Sequence, residues 1–405
     1  MKPIVRAGRM KPVHSDIRGP LFVEAMKRQK QGIDILKLNT GNPATFGFGL
    51  PDSIKNALME HMQDGVGYCD FKGMPQARQA ICDYETSKDI KGITSDDVFI
   101  GNGVSEVVSF ALTPLLNDGD EVLVPSPSYS LWGNSVYLED GKPVFYTCDE
   151  QANWYPDIQD IRSKITDKTK AIVIINPNNP TGVLYPKEIL LEIIQIARES
   201  GLLIFADEIY DRLVMDGKQH ISLASLTEDV PVITLNGLSK SHCLCGYRCG
   251  WMVISGPREL TEDYRQGIIQ LTSLRLCANT MAQIVIPAAL DDMETPASMV
   301  RPGGRIYEQR EATVRELEKI DGLSFVKNDA AFYVFPKLDV KKFNITNDKQ
   351  FAHDLLDATN ILLVPGSGFD WKDPDHFRIV MLPQADILSD SIRRMGTFLD
   401  GYKQK

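Results

Sequence analysis

"AIVIINPNNPTGVLYPKEILLEIIQIARESGLLIFAD", residues 171–207, contains an apolar run, a helical pattern and a second apolar run. The middle part starts at Pro186, stops at Gly201 and repeats apolar side chains at helical spacing: Ile189, Leu190, Ile193, Ile194 and Ala197. The flanking runs have almost no polar residue, which is typical of strands covered on both faces. Strand, helix and strand in this order predict a parallel sheet.

Short apolar runs of the same kind recur on both sides of this segment, with helical patterns between many of them. Together with 171–176 and 202–207 they make seven strands, the others being 97–101, 121–126, 143–148, 232–236 and 250–255. We therefore predict an α/β fold with a mainly parallel seven-stranded sheet. The last third changes to charged helices and short strands, such as 305–320 and 376–382, which predict a smaller α+β domain.

The length and charge of the chain limit its organisation and its partners. Its 405 residues are too many for one small core, so we predict an N-terminal arm plus part of the small domain over 1–46, a large domain over 47–296 and a small domain over 297–405. A net charge of −10 argues against nucleic acid or an anionic membrane as the main partner. No apolar run approaches a membrane span, and the first twenty residues lack the apolar centre of a secretory signal, so we expect a cytoplasmic protein.

Polar residues follow the predicted strands where each one ends. The clearest examples are "NGVSE", "PNNPTG", "DEIYD" and "GLSKSHCLCGYR". Because ligands bind beyond the carboxyl ends of strands in open α/β sheets, this distribution predicts a site along that edge.

Several residues in these segments have both a functional and a structural interpretation. "GNGVSE" (101–106) is not a dinucleotide loop, because Glu106 stands at the third glycine, and the turn is either a phosphate cradle or a plain connection. Asp207 needs a buried partner, either a structural cation or a protonated ring nitrogen. Lys240 is either a surface charge or a nucleophile with a lowered pKa, and Arg248 is suited to a phosphate.

The chain has seven cysteines, a number that fits free thiols in a reducing compartment. Three of them, Cys243, Cys245 and Cys249, are clustered. Their spacing lacks the two-residue gap of common zinc pairs, so we interpret them as small buried thiols and predict no metal site.

Taken together, these motifs resemble the class I and II aminotransferases of the pyridoxal-phosphate (PLP) fold type I. The resemblance covers nearly the whole chain and is carried by "GYCDFKGMPQARQAI", "NPNNPTG", "FADEIYD", "LNGLSKSHCLCGYRCGW" and "HFRIVMLP". "DIRGP", "NTGNPATFGF", "RLCAN" and "PGGRIYEQR" are more narrowly similar to the bacterial glutamate–pyruvate (alanine) aminotransferases.

The resemblance implies catalytic roles for residues that the motifs left open. Lys240 matches the lysine that bonds covalently to PLP and then moves the substrate proton. Asp207 matches the carboxylate that pairs with the ring N–H of the cofactor. Tyr210 and Asn179 match hydrogen-bond donors to the ring hydroxyl oxygen.

The resemblance also implies how PLP and the substrate are held. The phosphate of PLP is expected at Gly103, Val104, Ser105, Ser239 and Arg248. The ring of PLP is expected against Tyr129. Ser239 or Ser105 would replace a phosphate-binding hydroxyl that some relatives carry at the position of Gly237.

Two further implications concern the partner subunit and the substrate. Tyr68 is expected to reach the phosphate in the other subunit of a homodimer. Arg378, Gly41 and Asn179 are expected to bind the substrate α-carboxylate. We also expect Arg18 to pair with the distal carboxylate of glutamate, unless it only anchors the arm.

The function expected from this resemblance is ping-pong transfer of an amino group between L-alanine/pyruvate and glutamate/2-oxoglutarate. The alternatives are an aromatic-amino-acid aminotransferase or a PLP-dependent C–S lyase on the same fold. A PLP-binding regulatory module and an NAD-binding oxidoreductase fit the sequence less well, because no DNA-binding domain fits before residue 40 and Glu106 disrupts the dinucleotide motif.

Overall fold

A computed structural model describes residues 3–405. Its strands in chain order are β1 (Leu36–Lys37), β2 (Val98–Asn102), β3 (Glu121–Ser126), β4 (Lys142–Asp149), β5 (Tyr155–Pro156), β6 (Thr169–Ile175), β7 (Leu203–Asp207), β8 (Val232–Gly237), β9 (Cys249–Ser255), β10 (Leu323–Ser324), β11 (Tyr333–Val334), β12 (Lys337–Leu338), β13 (Ile361–Leu362), β14 (Val364–Pro365) and β15 (Phe377–Val380). Its α-helices are α1 (Pro20–Lys30), α2 (Asp52–His61), α3 (Pro75–Ser87), α4 (Val104–Leu112), α5 (Leu131–Leu138), α6 (Ile158–Lys164), α7 (Lys187–Ser200), α8 (Leu238–Ser241), α9 (Arg258–Arg275), α10 (Thr280–Ile284), α11 (Ile286–Asp291), α12 (Glu294–Val300), α13 (Arg305–Leu317), α14 (Val340–Phe343), α15 (Asp348–Thr359) and α16 (Ala385–Leu399).

The large sheet has the strand order β2-β9-β8-β7-β6-β3-β4-β5. Strands β8, β7, β6, β3 and β4 are parallel neighbours, whereas β9 runs antiparallel to both β2 and β8. All seven predicted strands are present, and the predicted α/β fold with a mainly parallel sheet is confirmed. An eighth strand, β5, pairs antiparallel with β4; its two residues are too few to give a periodic pattern.

The segment 171–207 folds as its sequence predicts, with α7 between β6 and β7. Leu190, Ile193, Ile194 and Ala197 are buried, and Ile189 lies at the margin of the stripe. The helix ends at Gly201, whose φ of 64° is the left-handed conformation that glycine adopts without strain.

The order of the strands brings the polar segments to one edge of the sheet. The carboxyl ends of β2, β8, β7 and β6 lie side by side there. Because β9 is antiparallel, its first residues lie at the same edge, where Cys249 pairs with Asn102 and Gly250 pairs with Gly237. The loop between β8 and β9 therefore begins and ends at this edge.

The first and last parts of the described chain pack against each other. β1 pairs in parallel with β13, with Leu36 opposite Ile361, and β11, β15 and β14 form a small antiparallel sheet. Leu38 is buried in a hydrophobic core with side chains from α15, β15 and α16. The boundaries at 46/47 and 296/297 remain predictions.

No single helix within residues 3–405 is long and apolar enough to cross a membrane, although the bent pair Arg258–Arg275 and Thr280–Asp291 passes on length and composition alone.

Candidate active site

A cavity of about 1040 Å³ lies at the edge of the sheet where the polar segments meet. The side chains and backbone of twelve residues predicted for the site line it: Arg18, Gly41, Val104, Ser105, Tyr129, Asn179, Asp207, Tyr210, Ser239, Lys240, Arg248 and Arg378. These residues come from both the large sheet and the N- and C-terminal segments. The structure therefore brings together groups that are spread over most of the sequence.

Lys240 lies on the short helix α8, directly after β8. The preceding Gly237 has no room for a side chain, because an added Cβ would lie 2.5 Å from the backbone oxygen of Cys249. The ammonium of Lys240 donates to the backbone oxygen of Gly41 at 3.1 Å and lies 5.7 Å from the centre of the Phe332 ring. An amine held by one carbonyl and an aromatic face is available to react with a ligand in the cavity.

Asp207 is a buried carboxylate at the end of β7, with 4% of its surface exposed. It accepts hydrogen bonds from the indole Nε1–H of Trp132 at 3.0 Å and from the backbone N–H of Ile209 at 3.4 Å. Burial raises its pKa to about 6, because these two neutral donors replace only part of the lost hydration. The carboxylate thus lacks a hydrogen-bonded cation, and a cationic group on a ligand would provide one.

The opposite end of the cavity is suited to an anion. Gly103 precedes α4 with a φ of 84°, and an added Cβ there would overlap the guanidinium of Arg248. That guanidinium donates to Ser105 Oγ at 3.1 Å and to the backbone oxygen of Cys245 at 2.8 Å. The N-terminal N–H groups of α4 and this exposed arginine form the kind of cradle that binds a phosphate. Gly103 is part of the cradle although it lies beneath the cavity wall.

Arg378 is a fully buried cation on β15. Its guanidinium donates to Asn179 Oδ1 at 3.0 Å and to the backbone oxygen of Asn39 at 2.5 Å, and its Nε has no hydrogen-bond partner within the described residues. Burial lowers its pKa below the usual value. Its guanidinium also lies 4.6 Å from the centre of the Tyr333 ring. A buried arginine with neutral partners is suited to a ligand carboxylate.

Tyr210 lies between Asp207 and Arg378. Its hydroxyl is hydrogen-bonded to the Tyr333 hydroxyl at 2.9 Å, and burial raises its pKa well above the usual value. The neutral hydroxyl pair can donate one hydrogen bond into the cavity.

Three predicted residues lie toward the outside of the site or away from it. Tyr129 is 37% exposed and Arg18 is exposed at the mouth of the cavity, on the segment that precedes α1. Tyr68 lies outside the main cavity, with 83% of its surface exposed, beside a separate cavity of about 540 Å³ formed by residues 65–68 and 277–280.

Sequence reasoning missed three groups at the site. Trp132, which donates to Asp207, has no signal in the sequence beyond that of an ordinary apolar residue. Tyr333, which contacts both Tyr210 and Arg378, lies in the apolar run "AAFYVFP" (330–336), which by itself indicates only a strand. The backbone oxygen of Asn39 carries no signal in the residue type at all.

The three clustered cysteines differ in their surroundings. Cys249 is buried on β9, whereas Cys243 and Cys245 are partly buried and line the cavity. The prediction of buried thiols is confirmed for Cys249 and wrong for the other two, because the loop that carries them bounds the cavity.

Comparisons with known proteins agree with this geometry. The family model "Aminotransferase class I and II" matches residues 33–388. The glutamate-pyruvate aminotransferase AlaA of Haemophilus influenzae is 49% identical over 404 residues, covering 100% of both chains. A crystal structure of an aminotransferase from Escherichia coli superposes with a TM-score of 0.98 at 47% identity over 100% of both chains. The alanine aminotransferase from Pyrococcus furiosus gives a TM-score of 0.93 at 40% identity, covering 98% of this chain and 100% of that one.

The match spans most of the chain, and it includes every strand that borders the cavity. The fold and the family resemblance predicted from the sequence are both confirmed. The chain belongs to the class I and II aminotransferase family.

Proposed function

We propose that this protein is a PLP-dependent aminotransferase that exchanges an amino group between L-alanine/pyruvate and glutamate/2-oxoglutarate by a ping-pong mechanism. Relatives described as glutamate-pyruvate and alanine aminotransferases support the choice of substrates. The observation that carries the proposal is a cavity that holds a lysine, a buried carboxylate without a hydrogen-bonded cation, and an anion cradle.

The residues present fit PLP at both ends. Asp207 is a buried acid without a hydrogen-bonded cation, which matches a protonated pyridine nitrogen. Arg248, Ser105 and the first turn of α4 match the phosphate group, and Gly103 keeps that cradle open. Ser239 lines the same end of the cavity. When bound, PLP supplies an electron sink for the α-carbon of the amino acid.

Lys240 has two tasks in this mechanism. Its amine would hold the cofactor, and as a free amine it would carry the proton to and from the substrate α-carbon. The contact with Gly41 keeps the amine on the substrate side of the cavity. A lysine performs both tasks because its long, flexible side chain remains close to the reacting carbon after release.

Asp207 and its neighbours would favour a protonated nitrogen in the cofactor ring. The ionised carboxylate stabilises that charge, and Trp132 fixes the orientation of the carboxylate. Tyr210 and Asn179 would donate to the ring hydroxyl oxygen, since Asn179 uses its own oxygen to accept from Arg378. Tyr129 would cover one face of the ring.

Arg378 would bind the α-carboxylate of every substrate. Its pairing with a carboxylate would replace the neutral partners that now satisfy only part of the guanidinium. Asn179 and the backbone of Gly41 would complete this subsite. Holding the carboxylate at one end fixes the α-carbon relative to Lys240, so proton transfer occurs between oriented groups.

One site must accept both the methyl group of alanine and the carboxylate side chain of glutamate. We propose that Arg18 provides the second cation when glutamate or 2-oxoglutarate binds. It lines the cavity mouth on an exposed segment, which allows the side chain to turn toward a carboxylate or toward solvent.

The visible absorbance spectrum of the purified protein tests the reaction class. We expect a lysine-bound cofactor band that disappears with L-alanine and returns with 2-oxoglutarate. Lys240→Ala should lack this band, whereas Lys218→Ala, at an exposed lysine paired with Asp329, should retain it. A band that ignores alanine and glutamate would refute the substrates, and a protein that forms no band with added PLP would refute the cofactor.

Half-reactions of the Arg18→Ala variant test the specificity proposal. We expect the rate with glutamate to fall by at least about tenfold, since one ion pair to a carboxylate is lost, and the rate with alanine to change less than about twofold. Equal slowing of both half-reactions would show that Arg18 only anchors the arm.

We also propose a homodimer in which Tyr68 completes the site of the other subunit. Tyr68 and Val66 are both exposed and line the second cavity, and exposed apolar side chains of this kind are suited to contact with a partner. Mixing a Lys240→Ala subunit with a Tyr68→Ala subunit would then create one intact site per hybrid dimer. Activity above that of either variant alone is expected, and no gain in a verified hybrid would refute the shared site.

A cytoplasmic location is proposed from the charge and the thiols of the chain. All seven cysteines lie in the described range as free thiols, which is typical of a reducing compartment. Fractionation of cells that produce the protein tests this proposal.

A further inference from the structure

A second buried charged cluster lies behind the catalytic loops. The ammonium of Lys88, just after α3, is 2.5 Å from Glu85 Oε2, 2.9 Å from Glu208 Oε2 and 3.3 Å from Asp211 Oδ2. The carboxylate side chains are 0%, 2% and 3% exposed, and the lysine side chain is 14% exposed. None of the four residues lines the cavity, and the reaction does not use them.

One ammonium therefore serves three buried carboxylates. Burial acts to lower the pKa of Lys88, but the surrounding carboxylates outweigh it and raise that pKa well above its usual value. His220 and Arg212 also act on Asp211, and His220 Nε2 lies 4.0 Å from Glu208, but the Lys88 ammonium contacts all three carboxylates. Burial raises the pKa of Glu85 to about 6, whereas the pKa of Asp211 stays below its usual value, with Lys88 as the main opposing charge.

The cluster is joined directly to the loop that carries Asp207. Glu208 is the next residue along the chain, and its Oε1 also accepts from Ser222 Oγ at 2.8 Å and from the N–H of Leu223 at 3.1 Å. Asp211 lies one residue beyond Tyr210, so Lys88 contacts this loop at two points, which flank the cavity-lining residues Ile209 and Tyr210.

The same cluster is joined to the turn that carries Lys240. Asp211 Oδ2 accepts from Asn236 Nδ2 at 2.7 Å, and Asn236 Oδ1 accepts from the N–H of Gly237 at 2.7 Å. Gly237 immediately precedes α8. A chain of three short contacts therefore runs from the Lys88 ammonium to the helix of the reactive lysine.

A metal ion is the competing interpretation of this cluster. Glu208, Asp211 and His220 have ligand atoms within 4.8 Å of one another, an arrangement that can hold a metal ion. The ammonium of Lys88 already contacts the first two of these carboxylates, so the chain supplies its own cation. The cluster is an internal ion-pair network.

We propose that Lys88 is a positioning residue for the reaction, which fixes Asp207 through Glu208 and fixes Lys240 through Asp211 and Asn236. The inference rests on the proposed function for the roles of Asp207 and Lys240. Loss of the ammonium leaves three carboxylates without their shared partner. The segments 207–211 and 236–241, which the cluster joins, are therefore expected to loosen together.

Hydrogen–deuterium exchange of the cofactor-free protein tests this coupling without relying on activity. In Lys88→Met we expect protection to fall by at least about tenfold in both 207–211 and 236–241, and Lys88→Arg, which keeps the charge, should restore most of it. The matched control is Arg265→Met, which removes a buried ion pair to Asp97 at 2.6 Å, away from the cavity. It should leave both segments protected relative to the rest of the chain.

Retention of PLP gives a second readout. The holoprotein of Lys88→Met should lose its cofactor on dialysis at least about tenfold faster than wild type. Arg265→Met should lose it less than about twofold faster, because only Lys88→Met is expected to loosen both 207–211 and 236–241. If Lys88→Met does not fold, Glu208→Gln tests the same link, since it keeps the acceptor for Ser222 but loses the ion pair.

The outcomes separate the proposal from its rivals. Loss of protection confined to the two segments, with rescue by arginine, supports positioning. A rise in exchange that is spread over the whole chain, as for the loss of any buried ion pair such as Arg265–Asp97, would overturn the proposal. Lys88 would then be only a member of a structural ion pair. Wild-type protein without a lysine-bound cofactor would refute the proposed function, while exchange would still decide whether Lys88 couples the two segments.

Discussion

Replacing Asp207 with asparagine should stabilise the cofactor-free protein while impairing the holoenzyme. The side chain keeps its size and its acceptor for Trp132, but the buried charge is removed. The carboxyl pKa is raised from 3.8 to about 6 by burial. Because this folded-state pKa lies above the unfolded one, the contribution of Asp207 to stability is full below pH 3.8 and is lost as the pH rises through about 6.

The size of the effect follows from that pKa. About two pH units at about 1.4 kcal/mol each give a penalty of about 3 kcal/mol above pH 6, of which about half is present at pH 5. The difference in the free energy of unfolding between Asp207→Asn and wild type should therefore widen by about 1–1.5 kcal/mol between pH 5 and pH 7.5. Urea denaturation of both cofactor-free proteins at several pH values measures this difference.

A control of opposite sign is available in the same chain. Asp216, held by Arg310 at 2.7 Å, has a lowered pKa, so Asp216→Asn should lose stability by a nearly constant amount between about pH 5 and pH 7.5, and this loss should shrink only as the pH falls below about 3.8. A difference for Asp207→Asn that does not change with pH would refute the reasoning that Asp207 is a charged group buried at a cost. With PLP bound the order should reverse, because the asparagine cannot pair with a protonated ring nitrogen.

Three further predictions concern neighbouring groups. Arg378→Lys should raise KM for alanine and glutamate alike by about 10–100-fold, because lysine replaces a bidentate partner of the carboxylate with a point charge. Steady-state kinetics with both substrates measures this, and an effect on glutamate alone would contradict it. Trp132→Phe should raise the pKa of Asp207 further, because it removes the side-chain donor to that carboxylate. The rate of PLP loss on dialysis should then rise by at least about tenfold. An unchanged rate would contradict a role of Trp132 in orienting the carboxylate. His376→Gln should cost more stability at about pH 6 than at about pH 8.5. Burial acts to lower the pKa of His376, but Asp375, at 2.7 Å, and Glu150 outweigh it and raise that pKa, so the stability that His376 contributes is lost as the pH rises through the raised value. Equal loss in urea denaturation at both pH values would contradict this.

The large sheet was predictable because its strands are short, continuous apolar runs with a helical pattern between many of them. Both faces of such strands are covered, so their side chains are apolar on both faces. A continuous apolar run is therefore enough to identify them. β5 was missed because a two-residue strand that ends in Pro156 has neither length nor alternation. It forms because the preceding turn brings the chain back along β4, a tertiary effect that has no local pattern.

The candidate site was predictable where the residues follow the strands directly. Lys240 and Arg248 lie in one loop, and the rule that ligands bind beyond the carboxyl ends of strands brings Asp207 and Asn179 to the same edge. Most of the cavity lining follows from that rule together with the family resemblance.

Other groups at the site had no signal that sequence alone could provide. Trp132 is an apolar residue on a buried helix, and only the fold shows that its N–H meets a carboxylate 75 residues away. Lys88 follows α3 in "ETSKDIKG", where a lysine is ordinarily solvated beside a helix C-terminus. Its burial depends on the loop after β7, so its partners could not be identified from local pattern.

The pairing of β1 with β13 has a consequence for how the protein matures. Arg378 is held by the backbone of Asn39, 339 positions earlier in the sequence, and Lys240 by Gly41, 199 positions earlier. The parallel strands β3, β4, β6, β7 and β8 pair over shorter separations, so this part of the sheet can assemble before these contacts form. During synthesis on the ribosome, the contact between Arg378 and Asn39 can form only after nearly all of the described chain has emerged. The contacts that hold Arg378 and Lys240 against the N-terminal segment are therefore expected to be among the last to form.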